Sequence, residues 1–232
     1  MSRQIKLAII DNSIDLSVYT PVKHWDACLN APWRSFRAKT GSFPVLGDGY
    51  THIVLTGSEA SILERERWVD TEIALVKDAV ELGIPVLGSC WGHQLLAVAF
   101  AGIPHVRRAP KPEVGWYPIT ITEDNRLFGR PGRTAHIFNS HFDEVTDLGS
   151  EFLVFASTED CTIHAFQLKD KPVWGIQSHP EMSITAAHHY LKSNIARHHE
   201  ASHLFQNALE SHPEDSGSIR EIVTNFLNYK AP

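Results

Sequence analysis

Short apolar runs alternate with amphipathic stretches through the first hundred residues. Ile5 to Asp11 (IKLAIID) is nearly continuous in apolar and β-branched residues, which predicts a strand buried on both faces of a parallel sheet; Thr51 to Gly57 (THIVLTG) repeats the pattern. Between them, Asn30 to Tyr50 is rich in Pro, Gly, aromatic and basic residues, including Trp33, Arg34, Phe36, Arg37 and Lys39. That composition predicts a long irregular connection or short helix near a functional edge. Val69, Ile73, Val76 and Val80 recur at intervals of three and four with charges between them, and Gly83 and Pro85 follow. This is an amphipathic helix with its stop signals. Ile84 to Gly88 is the next buried strand, and Trp91 to Ala101, apolar on nearly all sides and closed by Gly102 and Pro104, the next helix. Such alternation predicts the α/β class, a three-layer open sheet, mostly parallel, with helices on both faces.

From His105 the pattern changes. HVRRAPKPEVGWYP is Pro-rich and basic and predicts a loop, after which YPITIT, TAHIFN, FLVFAST, CTIHAFQL and PVWGIQS read as strands added antiparallel to the sheet. After Glu181 the chain turns helical through Ala186 to Leu209, breaks at HPEDSGS, and ends in an amphipathic stretch from Ile219 to Tyr229. The expected division is a domain over residues 1–184 and a C-terminal helical extension over 185–232. The extension belongs to the same domain and either covers a sheet edge or forms an oligomer contact.

Composition narrows the function classes. The 232 residues suit one domain, and 21 Lys+Arg against 27 Asp+Glu give a net charge of −6, which argues against nucleic acid as the main ligand. The most apolar stretch, Leu95 to Ile103, has nine residues, whereas a membrane helix needs about 20. The first residues run straight into a strand without the apolar region of a secretion signal, so cytoplasm is the expected location. Three cysteines, Cys28, Cys90 and Cys161, are too few and too odd for a disulfide framework and fit a reducing compartment.

The candidate chemistry centres on Val86-Leu-Gly-Ser-Cys-Trp-Gly-His-Gln-Leu-Leu96, a strand running into a Gly-flanked Cys and then a helix. That is the pattern of a nucleophile elbow, in which Gly88 and Gly92 leave room for a sharp turn that lifts Cys90 out of the sheet edge. Cys90 also stands at a helix N-terminus, where unpaired N–H groups favour thiolate. A thiol nucleophile needs a base and an acid, and an imidazole can serve as both near neutral pH. Trp174-Gly-Ile-Gln-Ser-His-Pro-Glu181 offers His179 at a strand end, with Glu181 two residues on to orient it. Cys28 and Cys161 read as small buried apolar residues.

These segments resemble the class I glutamine amidotransferases, whose elbow reads G-x-C-x-G-x-Q and whose base segment reads H-P-E. Gly88, Cys90, Gly92 and Gln94, followed by His179, Pro180 and Glu181, match both. Asn139-Ser-His-Phe-Asp-Glu-Val145 is similar to the S-H-x-D-x-V segment of the GMP-synthetase-like branch, and Glu113-Val-Gly-Trp116 to its E-x-G-W segment. The resemblance covers roughly residues 5 to 185. It implies a flavodoxin-like amidotransferase fold and a catalytic triad of Cys90, His179 and Glu181. Cys90 would form a γ-glutamyl thioester with release of ammonia, and water would complete hydrolysis to glutamate. It also implies an oxyanion hole from the N–H groups of Gly57 and Trp91, and binding of the glutamine ends by Gln94, Ser140 and His141. At the first of these donors the chain reads Thr56-Gly-Ser58, where many relatives carry two glycines and a proline.

The resemblance leaves two enzyme readings and one other. The chain is a standalone glutaminase subunit that passes ammonia to a synthase partner, docked through surface loops such as His105 to Lys111; or a γ-glutamyl peptidase or hydrolase acting alone; or a catalytically silent binding protein. The intact triad disfavours the last. No cofactor and no metal are expected, and no nucleic-acid or membrane partner. His188, His189, His198, His199, Glu200 and His203 crowd one region, but on a continuous helix His188 and His199 would stand about 16 Å apart, too far for one ion. A solvated helix face accounts for them.

Overall fold

The computed structural model describes residues 4–229; residues 1–3 and 230–232, the outer ends of the two expected segments, lie outside the described residues. Nine strands form one sheet. They are β1 (Leu7–Asp11), β2 (Trp33–Arg37), β3 (His52–Leu55), β4 (Val86–Ser89), β5 (Val106–Ile121), β6 (Thr134–Val145), β7 (Phe152–Ser157), β8 (Ala165–Leu168) and β9 (Val173–Ile176). The spatial order is β2-β1-β3-β4-β9-β8-β7-β5-β6. The first five run parallel, and β8, β7, β5 and β6 continue the sheet antiparallel. The helices are α1 (Pro21–Asp26), α2 (Arg67–Glu81), α3 (Trp91–Phe100), α4 (Ile184–Ile195), α5 (Ser202–Glu210) and α6 (Ile219–Leu227). None is long and apolar enough to cross a membrane.

The unbroken apolar runs of β1, β3 and β4 follow from burial on both faces. Ala8, Ile10, Ile53, Leu55 and Val86 point to one side and pack with Ile73 and Val76 of α2 and Leu95 and Leu96 of α3. Leu7, Ile9, Val54 and Leu87 point to the other and pack with Trp25 of α1 and Ile222, Val223 and Phe226 of α6. A third cluster joins Val114 and Phe138, from β5 and β6, to Leu191 of α4 and Phe205 of α5.

Several sequence expectations are corrected. The segment expected as a loop or short helix between Asn30 and Tyr50 has short helical turns at Ala38–Thr40 and Leu46–Asp48 but also contains β2, an edge strand that carries Arg34 and Arg37. The expected loop at His105 to Pro118 lies largely within β5. Its β6 register breaks between Arg108 and Glu113, where Pro110 and Pro112 have no N–H to donate. PVWGIQS contributes β9, which pairs antiparallel with β8 as expected but parallel with β4 on its other side. The helical stretch expected from Ala186 to Leu209 is two helices with a turn at 196–201, so His188 and His199 do not share one helix. The C-terminal helices cover sheet faces instead of an edge: α6 lies on the parallel half, and α4 and α5 pack against β5 and β6.

One inward polar pair stands in the core of the parallel half. Asn12 Nδ2 donates to Glu72 Oε1 at 3.1 Å, while Asn12 Oδ1 and Glu72 Oε2 are both buried without partners. A protonated Glu72 can donate back to the Asn12 carbonyl oxygen and satisfy both atoms. Burial pushes the Glu72 pKa up to about 8, only partly offset by the Asn12 hydrogen bond.

This packing makes stability depend on pH and on the C-terminal helices. Because the folded pKa of Glu72 lies above its unfolded value, the folded state holds the extra proton between them, and stability falls as pH rises from about 4.5 towards about 8. Glu72→Gln is expected to flatten that decline, on the order of a few kcal/mol, in urea melts at pH 5, 7 and 8.5. Phe226→Ala, which empties a site packed on Trp174 and His52, is expected to cost about 3–5 kcal/mol in the same melts, and ending the chain after Ser211 to cost more.

Candidate active site

Cys90 caps the N-terminus of α3 with φ 50° and ψ −106°, a left-handed conformation that costs a non-glycine residue about 1–3 kcal/mol. Neighbouring backbone holds it there: Cys90 N–H donates to Ile176 O at 2.8 Å, and Gln94 N–H to Cys90 O at 3.1 Å. The flanking glycines are required by contact. A Cβ on Gly88 would lie 2.4 Å from Gly92 O, and one on Gly92 2.6 Å from Leu55 O. The turn can be this tight only because three backbones touch without side chains between them.

The register of β9 beside β4 brings His179 to the same sheet end. Gly57, which follows β3, completes the convergence: a Cβ there would lie 2.6 Å from His179 Cε1 and 3.5 Å from Cys90 Cβ. His179 Nδ1 donates to Glu181 Oε1 at 3.0 Å, which turns Nε2 away from the carboxylate. Burial alone would lower the His179 pKa, but the Cys90 thiolate and the Glu181 carboxylate beside it outweigh burial and raise it to about 10. Burial pushes Glu181 up, and the charge and hydrogen bond of His179 outweigh that and lower its pKa. The N–H groups of Gly57 and Trp91 find no acceptor among the described residues. A thiol nucleophile beside an imidazole that a carboxylate orients is the equipment of nucleophilic acyl transfer.

Two further groups join this array. Tyr19, from the connection between β1 and α1, donates its hydroxyl to Glu181 Oε1 at 3.1 Å, and Ser89 Oγ lies 3.4 Å from both Glu181 oxygens. Ser89 stands inside the elbow segment, so its place there was legible in principle. Nothing local marks Tyr19.

Cys90 opens onto a cleft of about 770 Å³. Gln94 lines it with Nε2 committed to Asp143 O at 2.9 Å and Gln177 Oε1 at 3.3 Å, which leaves Oε1 for a ligand. Ser140 also lines it, its Oγ donating to Tyr190 Oη at 3.3 Å and its carbonyl facing Cys90 Sγ at 3.8 Å. His141 belongs to the same wall, but its ring turns inward. Nδ1 meets Asp143 O at 3.1 Å and Nε2 meets Glu113 Oε2 at 3.0 Å, so the wall offers a ligand the backbone of this residue rather than its imidazole. The far side of the cleft is formed by Arg197, His198, His199 and Glu200 of the turn between α4 and α5.

Glu113, His141 and His164 present ligand atoms within 4.8 Å of one another, the one such group among the described residues. Internal partners already occupy those atoms. Thr158 Oγ1 donates to Glu113 Oε1, and His164 Nε2 lies 3.0 Å from Asn139 Oδ1. Burial would raise the Glu113 pKa, but hydrogen bonds from His141 and His164 outweigh it and lower it. The group therefore reads as a buried hydrogen-bonded cluster that ties β5 and β6 to the segment entering β8 behind the cleft.

A family model described as glutamine amidotransferase class-I matches residues 1–198. The chain is 37% identical over 117 residues to a subunit of the glutamine-hydrolyzing GMP synthase of Pyrococcus abyssi, covering 50% of this chain and 61% of that one. To the corresponding subunit from Methanothermobacter thermautotrophicus it is 38% identical over 115 residues, again covering 50% and 61%. The chain thus spans about three-fifths of the length of these curated relatives. A crystal structure of a glutamine amidotransferase from Thermotoga maritima shares the fold with TM-score 0.78 at 18% identity, covering 97% of this chain and 99% of that one. The crystal structure of a putative GMP synthase subunit from Thermoplasma acidophilum does so with TM-score 0.71 at 20% identity, covering 98% and 94%.

The contact at Gly57 gives a test that needs no substrate. Gly57→Ala is expected to push the His179 imidazole off Cys90 and to slow alkylation of Cys90 at pH 7 by about tenfold or more, read by intact mass against time. Gly47→Ala, with nothing within 4 Å of its new methyl, is expected to leave the rate unchanged.

Proposed function

This chain belongs to the class-I glutamine amidotransferase family, and on that premise we propose that it hydrolyses the side-chain amide of glutamine through a γ-glutamyl thioester on Cys90. The observation that carries this reading is the close approach of Cys90, His179 and the Gly57 backbone, with Cys90 lining the cleft. The Cys90 thiolate attacks the amide carbon, and the oxyanion takes hydrogen bonds from the N–H groups of Gly57 and Trp91. His179 gives its proton to the departing nitrogen, the C–N bond breaks, and ammonia leaves. Neutral His179 then removes a proton from water, which attacks the thioester and returns glutamate and the thiol. Glu181 holds the imidazole in the tautomer and orientation that both steps need. Gln94 Oε1 and the backbone at Ser140 and His141 receive the α-amino and α-carboxylate ends. No cofactor or metal enters any step.

The reaction leaves ammonia without an acceptor in this chain. As the curated relatives are subunits of a glutamine-hydrolyzing synthase, the proposed partner is a synthase subunit that receives it. The exposed face of β5 around Arg107 and Lys111 is the docking side. Residues 1–184 form the amidotransferase domain and 185–232 a helical appendage of the same domain, whose α4–α5 turn closes the cleft. Free Cys28, Cys90 and Cys161 suit a reducing cytoplasm.

One observation favours a second reading. The cleft continues past Cys90 to Arg197, His199 and Glu200, giving polar room for a residue attached through the γ-amide, as in a γ-glutamyl peptidase acting alone.

Release of glutamate and ammonia from glutamine and from a panel of γ-glutamyl dipeptides separates the two. Under the first reading glutamine turns over slowly and faster with the synthase partner; under the second, dipeptides are cleaved rapidly without one. In either case Cys90→Ala is expected to lose about 10⁴-fold or more in kcat. A glutamine-analogue electrophile should add once, at Cys90, and its failure to add between pH 6 and 10 would exclude both readings.

A further inference from the structure

We propose that Tyr19 is a positioning residue for the nucleophile array: its hydroxyl pins the Glu181 carboxylate against His179 and limits how tightly that carboxylate holds the imidazolium. The proposal rests on the thiol chemistry assigned above to Cys90 and His179, and it adds a residue to that machinery.

Glu181 Oε1 accepts two hydrogen bonds, from His179 Nδ1 at 3.0 Å and from Tyr19 Oη at 3.1 Å, and Tyr19 Oη itself lies 3.3 Å from His179 Nδ1. The three groups form a closed triangle. Ser89 Oγ, at 3.4 Å from both carboxylate oxygens, is too distant to fix the carboxylate rotamer alone. The Tyr19 ring is wedged on three sides. It stacks on His24 with centroids 5.9 Å apart, and meets His179 and Tyr190 edge-on, each at 5.8 Å. Tyr190 in turn accepts from Ser140 Oγ, so the wedge links the carboxylate to the cleft wall that faces Cys90.

A carboxylate that shares its charge with a neutral phenol attracts an imidazolium less than one that does not. Removing the hydroxyl is therefore expected to make His179 more basic while loosening its orientation. Burial first, and then the Glu181 charge, raise the Tyr19 pKa well above its ordinary value, so the phenol remains a donor. The other titratable groups facing the array do not confuse the readout. His24 of α1 is pushed down by burial, Cys28 after α1 is pushed up by burial to about 11, and burial raises Tyr190 of α4 further. In the alkaline range the charge change read at Cys90 is that of His179, whose pKa is raised to about 10.

The test is the rate of Cys90 alkylation by iodoacetamide from pH 5 to 11, on the full chain and on Tyr19→Phe and Tyr19→Leu, with the adduct located by peptide mapping. Steady-state glutamine hydrolysis accompanies it. Tyr19→Phe, which keeps the ring, is expected to move the alkaline inflection upward by half a pH unit or more and to lower kcat several-fold with KM within about twofold. Tyr19→Leu is expected to move the inflection in the same direction. A Tyr19→Phe profile that superimposes on that of the unaltered chain overturns the proposal, as does a shift seen only with Leu, which would make Tyr19 a spacer. An unaltered chain that never turns over glutamine or a γ-glutamyl dipeptide, yet shows the Tyr19→Phe shift, defeats the hydrolase reading and still supports the Tyr19 assignment.

Discussion

Close contact between bare backbones at the end of the parallel sheet governs this molecule. Gly88 faces Gly92 across the turn, Gly92 rests on the Leu55 carbonyl, and Gly57 lies against both Cys90 and His179. The contacts of Gly88 with Gly92, of Gly92 with Leu55 and of Gly57 with His179 leave no space for a methyl group. Together they hold Cys90 at a positive φ that the residue would not adopt alone, with its nitrogen bonded to the β9 carbonyl of Ile176.

Around that turn the protein buries charge and provides it with partners. Removing ions from water costs several kcal/mol each, so an isolated buried imidazolium or carboxylate would neutralise instead. His179 remains charged because Cys90 and Glu181 flank it, and Glu181 remains charged because the charge and hydrogen bond of His179 outweigh its burial. Behind the cleft wall the buried Glu113 carboxylate is likewise given hydrogen-bond partners, in His141 and Thr158. Where no such partners exist, as at Glu72, burial raises the pKa instead.

The antiparallel half and the C-terminal helices give the site its walls. β6 carries Ser140 to Asp143 past Cys90, and α4 and α5 pack over β5 and β6 so that their connecting turn faces the cleft from the opposite side. Gly115, at φ 125°, lies under Ala208 of α5, and a Cβ there would come within 3.2 Å of the Ala208 methyl. Close seating of the appended helices thus uses the same device as the elbow, glycine where two elements must nearly touch.

What the sequence determined by itself was local. The unbroken apolar runs of β1, β3 and β4, the amphipathic α2 and the Gly-flanked Cys90 were legible because each is a short-range pattern with its own physical cause. His179 and Glu181 were legible through their H-P-E motif. Tertiary structure decided what depends on pairing across the chain. It made β9 parallel to β4, kept a Pro-rich segment within β5 by breaking its register, and split the last long helical stretch into α4 and α5. It turned His141 from the cleft towards Glu113, and brought Tyr19, 160 residues away in sequence, to His179. Strand register and helix docking are set by which apolar faces can be covered together and which buried charges can be paired. Neither is a property of any one segment, so no local pattern could announce them.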